Sequence, residues 1–166
     1  DGGPYCRYVH GVIERFVQTF AGTRHSRYLA TLVPGIRALH YRRNSRIFQD
    51  LTIIDATRQV LRAGHIADNG IQTFLRGIYQ NRNYCVQYQE SDLHFISRLW
   101  EEEGVFYFFE QTEDRCIVNL GDGRHAFGSL RHYPTIQLRE RLHLYEEGLA
   151  EFSAESSLYS GSVLLR

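Results

Sequence analysis

YCVQYQESDLHFISRLWEEEGVFYFFE, residues 84–110, contains the clearest local signals in the chain. Tyr84, Val86 and Tyr88 alternate with other side chains, which is the period of a strand with one face against a core. At the far end, residues 105–109 form an uninterrupted run of β-branched and aromatic residues, which predicts a strand covered on both sides. Because the segment between the two runs has helical spacing, the sequence predicts a strand-helix-strand unit.

The predicted helix has a start signal, an apolar face and a stop signal. Ser91 offers a side-chain oxygen to the free amides of the first turn, and Asp92 places negative charge at that turn's positive end. Gly104 can take the left-handed conformation that ends many helices. The apolar stripe, at three- and four-residue intervals, consists of Leu93, Ile96, Leu99 and Trp100. These four, with Phe106 and Phe108, are the predicted structural core, whereas the other helix faces receive Asp92, Arg98, Glu101 and Glu102.

Strand signals dominate the rest of the chain. Residues 5–20 predict one long strand, or two joined by a bulge at Gly11. A second helix is predicted to begin at Asp50 or Thr52 and to end at Gly64. Further extended segments are predicted at 28–33, 36–41, 71–79 and 116–120, with weaker signals at 135–138, 142–145, 150–157 and 162–165. The expected fold is α+β and β-dominated, with antiparallel barrel-like domains and two short helices.

The same stretch carries a resemblance to a known family. YCVQYQESDLHFISRLWEEEG, residues 84–104, resembles the signature of the hub region of VgrG-type type VI secretion spike proteins. That region is itself similar to phage tail hub and phage late control D proteins. The resemblance extends over nearly all of the chain, through residues 8–13, 32–34, 45–49, 119–122 and 151–153.

The resemblance implies a structural adaptor without catalytic residues or cofactors. In such hubs, three chains each contribute two similar barrels, and the homotrimer matches the hexameric tube protein Hcp to a threefold needle of the same chain. Residues 1–50 would then hold the closing strands of a first barrel, 51–83 a helix and connection, and 84–166 the strand-helix-strand unit with part of a second barrel. The assembly forms in the bacterial cytoplasm, is secreted or injected, and punctures a target membrane, and secreted effectors are further partners. A phage-type baseplate hub of a contractile particle is the alternative.

Composition narrows the classes of function. The chain has 19 basic and 19 acidic residues, which argues against a mainly electrostatic attraction to nucleic acid or anionic lipid. The 10 Phe and 11 Tyr residues could stack on single-stranded nucleic acid, but aromatic residues two apart in strands more often fill cores and subunit contacts. No run reaches the length of a membrane helix. Because the chain lacks Met and opens with Asp1, we expect a piece of a longer polypeptide.

No motif predicts a catalytic, metal or cofactor site. The eight histidines form no H-E-x-x-H pattern, and no G-x-S-x-G is present. Three negative charges on the last turn of the predicted helix oppose the helix dipole and require a reason. They could form an acid pair for glycoside hydrolysis, pair with arginines of a neighbouring element or subunit, or be solvated. The possible subunit-interface residues are Arg46, Arg82, Glu101, Glu102 and Glu103.

Overall fold

The computed structural model describes residues 7–128, 138, 149 and 151–155. The chain divides into two units, Asp1–Phe127 and Gly128–Arg166. In the second unit the described residues include one parallel bridge, between Leu138 and Leu149. Of the weak strand signals predicted after residue 134, the segments 142–145 and 162–165 lie outside the described residues, as does most of 135–138. The strand predicted over 150–157 is wrong for residues 151–155, which form no strand.

The first unit contains seven described strands, two α-helices and three short 3-10 helices. Its strands are β1 (Val12–Ala21), β2 (Ser26–Val33), β3 (Arg43–Phe48), β4 (Ile71–Phe74), β5 (Cys85–Ser91), β6 (Phe106–Gln111) and β7 (Cys116–Gly121). Its α-helices are α1 (Ile53–Ala63) and α2 (Asp92–Glu102), and shorter 3-10 helices span Gly35–Tyr41, Asp68–Gly70 and Arg124–Ala126. The predicted α+β, strand-dominated class is confirmed.

The strands form three small sheets. β1 pairs with β2 and β3 pairs with β5, both antiparallel, whereas the third sheet has the order β4-β7-β6. Within that sheet β6 and β7 are antiparallel, but β4 runs parallel to β7, which differs from the all-antiparallel prediction. Among the described residues no sheet closes into a barrel.

Both helices begin and end where local sequence indicates. The Thr52 side chain accepts a hydrogen bond from the Asp55 backbone amide at the start of α1, so Thr52 rather than Asp50 is the cap. Ser91 caps α2 in the same way, by accepting from the His94 amide. Gly104, at φ +69°, takes the left-handed conformation just after α2. Local capping chemistry therefore fixes the helix positions.

The core lies between α1, α2 and the sheets. Ile96, Leu99 and Trp100 of the apolar stripe are buried, and Leu93 is half-buried against the core. Phe95 is also fully buried and stacks on Phe48 of β3, a contact absent from the predicted stripe. The core also includes Leu39, Ile53, Val60, Leu61, Val118 and Leu120.

Four segments of the first unit differ from prediction. The strand predicted over residues 5–20 begins only at Val12, so the described residues 7–11 lie outside it. Residues 36–41, expected to be extended, form a 3-10 helix that buries Ile36 and Leu39, because a spacing of three places both side chains on one face of such a helix. The strand predicted over 71–79 ends at Phe74. β6 is covered on one face rather than two, since Tyr107 and Phe109 are 41% and 37% exposed.

Candidate functional site

A buried carboxylate joins three elements at the start of α2. Asp92 has no exposed side-chain surface, although its position in the first turn predicted an outward-facing residue. Its Oδ1 accepts hydrogen bonds from Asn44 Nδ2 and from Gln87 Nε2, each at 2.8 Å. The guanidinium groups of Arg42 and Arg46 also donate to the carboxylate. These donors offset the desolvation of Asp92 and hold β3 and β5 against α2.

Two of the three glutamates at the C-terminal end of α2 form ion pairs within the chain. Arg82 donates from one guanidinium nitrogen to Glu102 at 2.6 Å and from the other to Glu103 at 2.7 Å. The hydrogen bonds to Glu103 and Glu102 raise the pKa of Arg82 above its ordinary value. Arg98 makes a longer contact to Glu102, at 3.4 Å. Pairing with a neighbouring element therefore accounts for two of the three acidic residues, while Glu101 is exposed.

The predicted subunit-interface residues do not form one cluster. Arg46 belongs to the Asp92 centre, whereas Arg82, Glu102 and Glu103 form the group at the other end of α2. Because these four charges have partners in the same chain, charge alone gives no reason to place a second subunit there. Their assignment to an interface stays a prediction.

Asp122 fastens the loop that follows β4. Its Oδ2 accepts hydrogen bonds from the backbone amides of Gly77 at 2.7 Å and Arg76 at 2.8 Å, and from the Tyr79 hydroxyl at 2.9 Å. The bond from Gly77, followed by those from Arg76 and Tyr79, lowers the pKa of Asp122 despite the opposing effect of burial. Burial, and then the bond to Asp122, raise the pKa of Tyr79 to about 12. The motif at residues 119–122 thus includes a loop clamp, a role that sequence reasoning did not assign.

β1 and β2 form a hairpin arm, residues 12–33, that is exposed on both faces. At its base the Glu14 carboxylate accepts from Arg37 Nε at 2.8 Å and from the Tyr41 hydroxyl at 3.1 Å. Phe16 and Tyr28 stack across the two strands with ring centroids 5.4 Å apart. Seven large apolar side chains of the arm are between 44% and 62% exposed, namely Val12, Ile13, Phe16, Phe20, Tyr28, Leu29 and Leu32. An isolated two-stranded hairpin is only marginally stable in water, so this surface is suited to a partner.

A second surface, called the acidic turn, comprises residues 110–115: the end of β6 and the turn that leads to β7. It carries Glu110, Glu113 and Asp114 against the single positive charge of Arg115. Beside it lie the partly exposed rings of Tyr107 and Phe109, which contact each other edge to face. The turn is therefore an acidic, aromatic surface.

The described residues contain neither a membrane-spanning helix nor a cluster of metal-ligand side chains. None of the described helices has the length and apolar character needed to cross a membrane. In the same residues no three histidine, cysteine, aspartate or glutamate side chains are grouped as metal ligands would be.

Comparison with known proteins identifies the family. Residues 2–166 match the family described as phage tail baseplate hub (GPD). The chain belongs to the phage tail baseplate hub family, and its strand-rich fold is the fold of phage tail hub proteins.

The similar proteins are spike proteins of bacterial secretion systems. The type VI secretion system spike protein VgrG4b of Pseudomonas aeruginosa is 39% identical over 127 residues, which are 76% of this chain and 16% of that protein. VgrG1b of the same organism is 33% identical over 159 residues, 92% of this chain and 21% of that protein. The actin cross-linking toxin VgrG1 of Vibrio cholerae is 35% identical over 74% of this chain and 11% of the toxin. The chain thus spans about a fifth or less of each of these relatives.

A solved structure shares the fold. The Escherichia coli c3393 protein superimposes with a TM-score of 0.68 and 28% sequence identity, over 71% of this chain and 34% of that one. It is described as a component of the type VI secretion system with structural similarity to the T4 bacteriophage tail proteins gp27 and gp5.

Proposed function

We propose that the chain is the hub segment of a trimeric, VgrG-type spike. In this role it is a structural adaptor between a hexameric tube of Hcp and a threefold needle, and it has no catalytic residue. The spike assembles in the bacterial cytoplasm and is secreted or injected into a target cell, whose membrane the assembly punctures. Secreted effectors are further partners of the whole spike.

The similarity to the c3393 protein carries the proposal. That protein is described as a type VI secretion component, and it shares the fold with this chain, at 28% sequence identity, over 71% of the chain. The spike proteins VgrG4b and VgrG1b favour a secretion system over a phage-type particle. The described contacts fit a structural role, because Asp92 and Arg82, at the two ends of α2, each join elements of the same chain.

The mass in solution of a full-length spike that carries this chain tests the proposal. Light scattering coupled to size-exclusion chromatography is expected to give three times the mass of one chain. The same protein is expected to sediment with purified Hcp hexamers, whereas a version without residues 1–166 is expected to remain in the supernatant. A full-length protein that is monomeric at both low and high salt contradicts the proposal.

A further inference from the structure

We propose that His125 makes the Asp122 clamp sensitive to pH: a protonated His125 tightens the hold on the loop after β4, and a neutral His125 loosens it. The Asp122 clamp is the set of hydrogen bonds by which Asp122 holds Arg76, Gly77 and Tyr79. The device lies within a single chain, so it does not depend on the proposed assembly or on its partners.

The two oxygens of the Asp122 carboxylate have unequal surroundings. Oδ2 accepts the three hydrogen bonds from the loop. Oδ1 is buried and has no hydrogen-bond partner in the part of the chain that the structure describes. A buried oxygen of a charged group is costly when it has lost water without gaining a donor. A positive charge beside Oδ1 therefore stabilises the clamp.

The imidazole of His125 is in position to supply that charge. Its Nε2 lies 3.2 Å from Asp122 Oδ1 and 3.0 Å from the carbonyl oxygen of Phe74, the last residue of β4. Because a carbonyl oxygen can only accept, Nε2 carries a hydrogen and donates it to Phe74. The proton that is gained or lost is then the one on Nδ1. Its arrival keeps the bond to Phe74 and places a full positive charge at ion-pair distance from Asp122.

Histidine is the side chain whose charge ordinarily changes between about pH 8 and pH 5. Burial, and then the bond to Asp122, hold the pKa of Tyr79 at about 12, so its hydroxyl stays protonated over this range. The bonds from Gly77 and the rest of the loop lower the pKa of Asp122, so its carboxylate stays ionised above about pH 4. The other charged groups near the clamp are two exposed arginines, which are always protonated, and a glutamate that is paired with Arg82, namely Arg76, Arg124 and Glu103.

The loop has a second attachment that involves no histidine among the described contacts. At its far end the Arg82 amide donates to the Leu51 carbonyl at 2.9 Å, and the Arg82 side chain is paired with two glutamates of α2. Between the two attachments Ile78 is 94% exposed, so its side chain adds almost no packing. The order of residues 76–79 should therefore follow the state of the clamp, whereas the order of Arg82 should not.

Amide hydrogen exchange of the 166-residue chain, followed by NMR, tests the device. The reporters are the amides of Arg76 and Gly77, and the Arg82 amide is the internal control. Each rate is divided into the rate of an unstructured chain at the same pH, which gives a protection factor. The variant His125→Gln keeps a side-chain N–H but cannot take up a proton. The matched control His25→Gln replaces an exposed histidine elsewhere, and circular dichroism melting checks that each variant folds.

In the wild type, the protection factors of Arg76 and Gly77 are expected to rise at least about threefold from pH 8 to pH 6, because charge-assisted bonds are stronger than neutral ones. The protection of Arg82 is expected to stay constant. The rise should disappear in His125→Gln and persist in His25→Gln. If His125→Gln does not fold, Asp122→Asn replaces it and should also abolish the rise. Wild-type protection that is the same at both pH values overturns the inference, as does a rise that persists in His125→Gln.

Discussion

At the scale of single residues, two carboxylates hold the fold together from positions that look like ordinary polar surface. Asp92 follows a helix cap and Asp122 sits in a Gly-Asp-Gly turn, so both read as solvent-facing. In the structure Asp92 accepts hydrogen bonds from β3 and β5, and Asp122 fastens the loop after β4. Each one satisfies donors that come from distant parts of the chain.

Replacing Asp92 should be strongly destabilising. Asp92→Ala removes the acceptor shared by the Asn44 and Gln87 amides, while the partly exposed guanidinium groups of Arg42 and Arg46 can turn to water. Losing hydrogen bonds to a charged acceptor costs about 1.5 to 3 kcal/mol. Urea denaturation measures the loss. Asp68→Ala is the matched control, since its pair with Arg62 is exposed and its removal should change the unfolding free energy little. Equal losses in the two variants would show that Asp92 is not specially placed.

The Asp122 clamp should weaken in acid. Its hydrogen bonds hold the pKa of Asp122 below the ordinary value, so the stabilisation is complete above about pH 4 and is lost as the pH falls through the pKa of the folded state. Asp122→Asn removes the charge at every pH. The difference in unfolding free energy between wild type and Asp122→Asn is therefore expected to shrink as the pH falls below about pH 4. His125 also contacts Asp122, so the comparison is made between about pH 5 and pH 3. A difference that stays constant down to pH 3 argues against the clamp.

At the scale of elements, α2 organises the described unit. Its buried face contacts β3 through Phe95, and Trp100 Nε1 donates to Thr57 Oγ1 of α1 at 3.0 Å. Trp100 is 1% exposed, so the indole is part of the core and also the polar link between the two helices. The helix thus combines packing on several sides with ion pairs at both ends.

Trp100→Ala should abolish soluble expression or lower the melting temperature sharply. Truncating a buried tryptophan costs about 3 to 5 kcal/mol, and the Thr57 hydroxyl also loses its donor. Differential scanning fluorimetry is the measurement. Glu101→Ala, on the exposed side of the same helix, is the control and should melt close to the wild type. A Trp100→Ala protein that melts within a degree or two of the wild type would show that the indole is not a core residue.

Local sequence signals predicted nearly all of α2. The features that the sequence did not predict depend on contacts between residues that are far apart in the chain. Ser91, the apolar spacing and Gly104 lie within fifteen residues and need no knowledge of the remaining chain. The burial of Asp92 depends on Arg42, Asn44 and Arg46, which are more than forty residues away, so no local pattern contains it. The parallel direction of β4 was missed for the same reason, because a strand's period does not encode the direction of its partner. The family resemblance, in contrast, pointed to the hub class directly.

At the scale of the whole molecule, the described unit is a scaffold with two unlike surfaces. The hairpin arm is apolar and basic, whereas the acidic turn and the β6 face beside it are acidic and aromatic. Of the three carboxylates that sequence reasoning offered to a hydrolase, Glu102 and Glu103 are held by Arg82, and Glu101 is exposed.

Purified peptidoglycan should not be hydrolysed by this chain. A pair of acids can cleave a glycosidic bond only when one of them is free to donate a proton and the other faces the sugar. Glu102 and Glu103 instead share one arginine. Release of soluble reducing ends, with lysozyme as the positive control, measures the activity. Hydrolysis that disappears in Glu101→Gln or Glu103→Gln would contradict the structural role.

The parallel pairing of β4 with β7 has a consequence for the chain as it leaves the ribosome. Ile71 pairs with Val118, and β7 is also the strand that receives β6. Ribosomes add about 5 to 20 residues per second, so β4 emerges and waits roughly 2 to 10 s before its partner has been synthesised. The hairpin arm can close within microseconds of emerging, because its partner strands are adjacent in sequence. During synthesis β4 thus stays unpaired until β7 is made, as β3 does until β5 is made, whereas the hairpin arm needs no such delay.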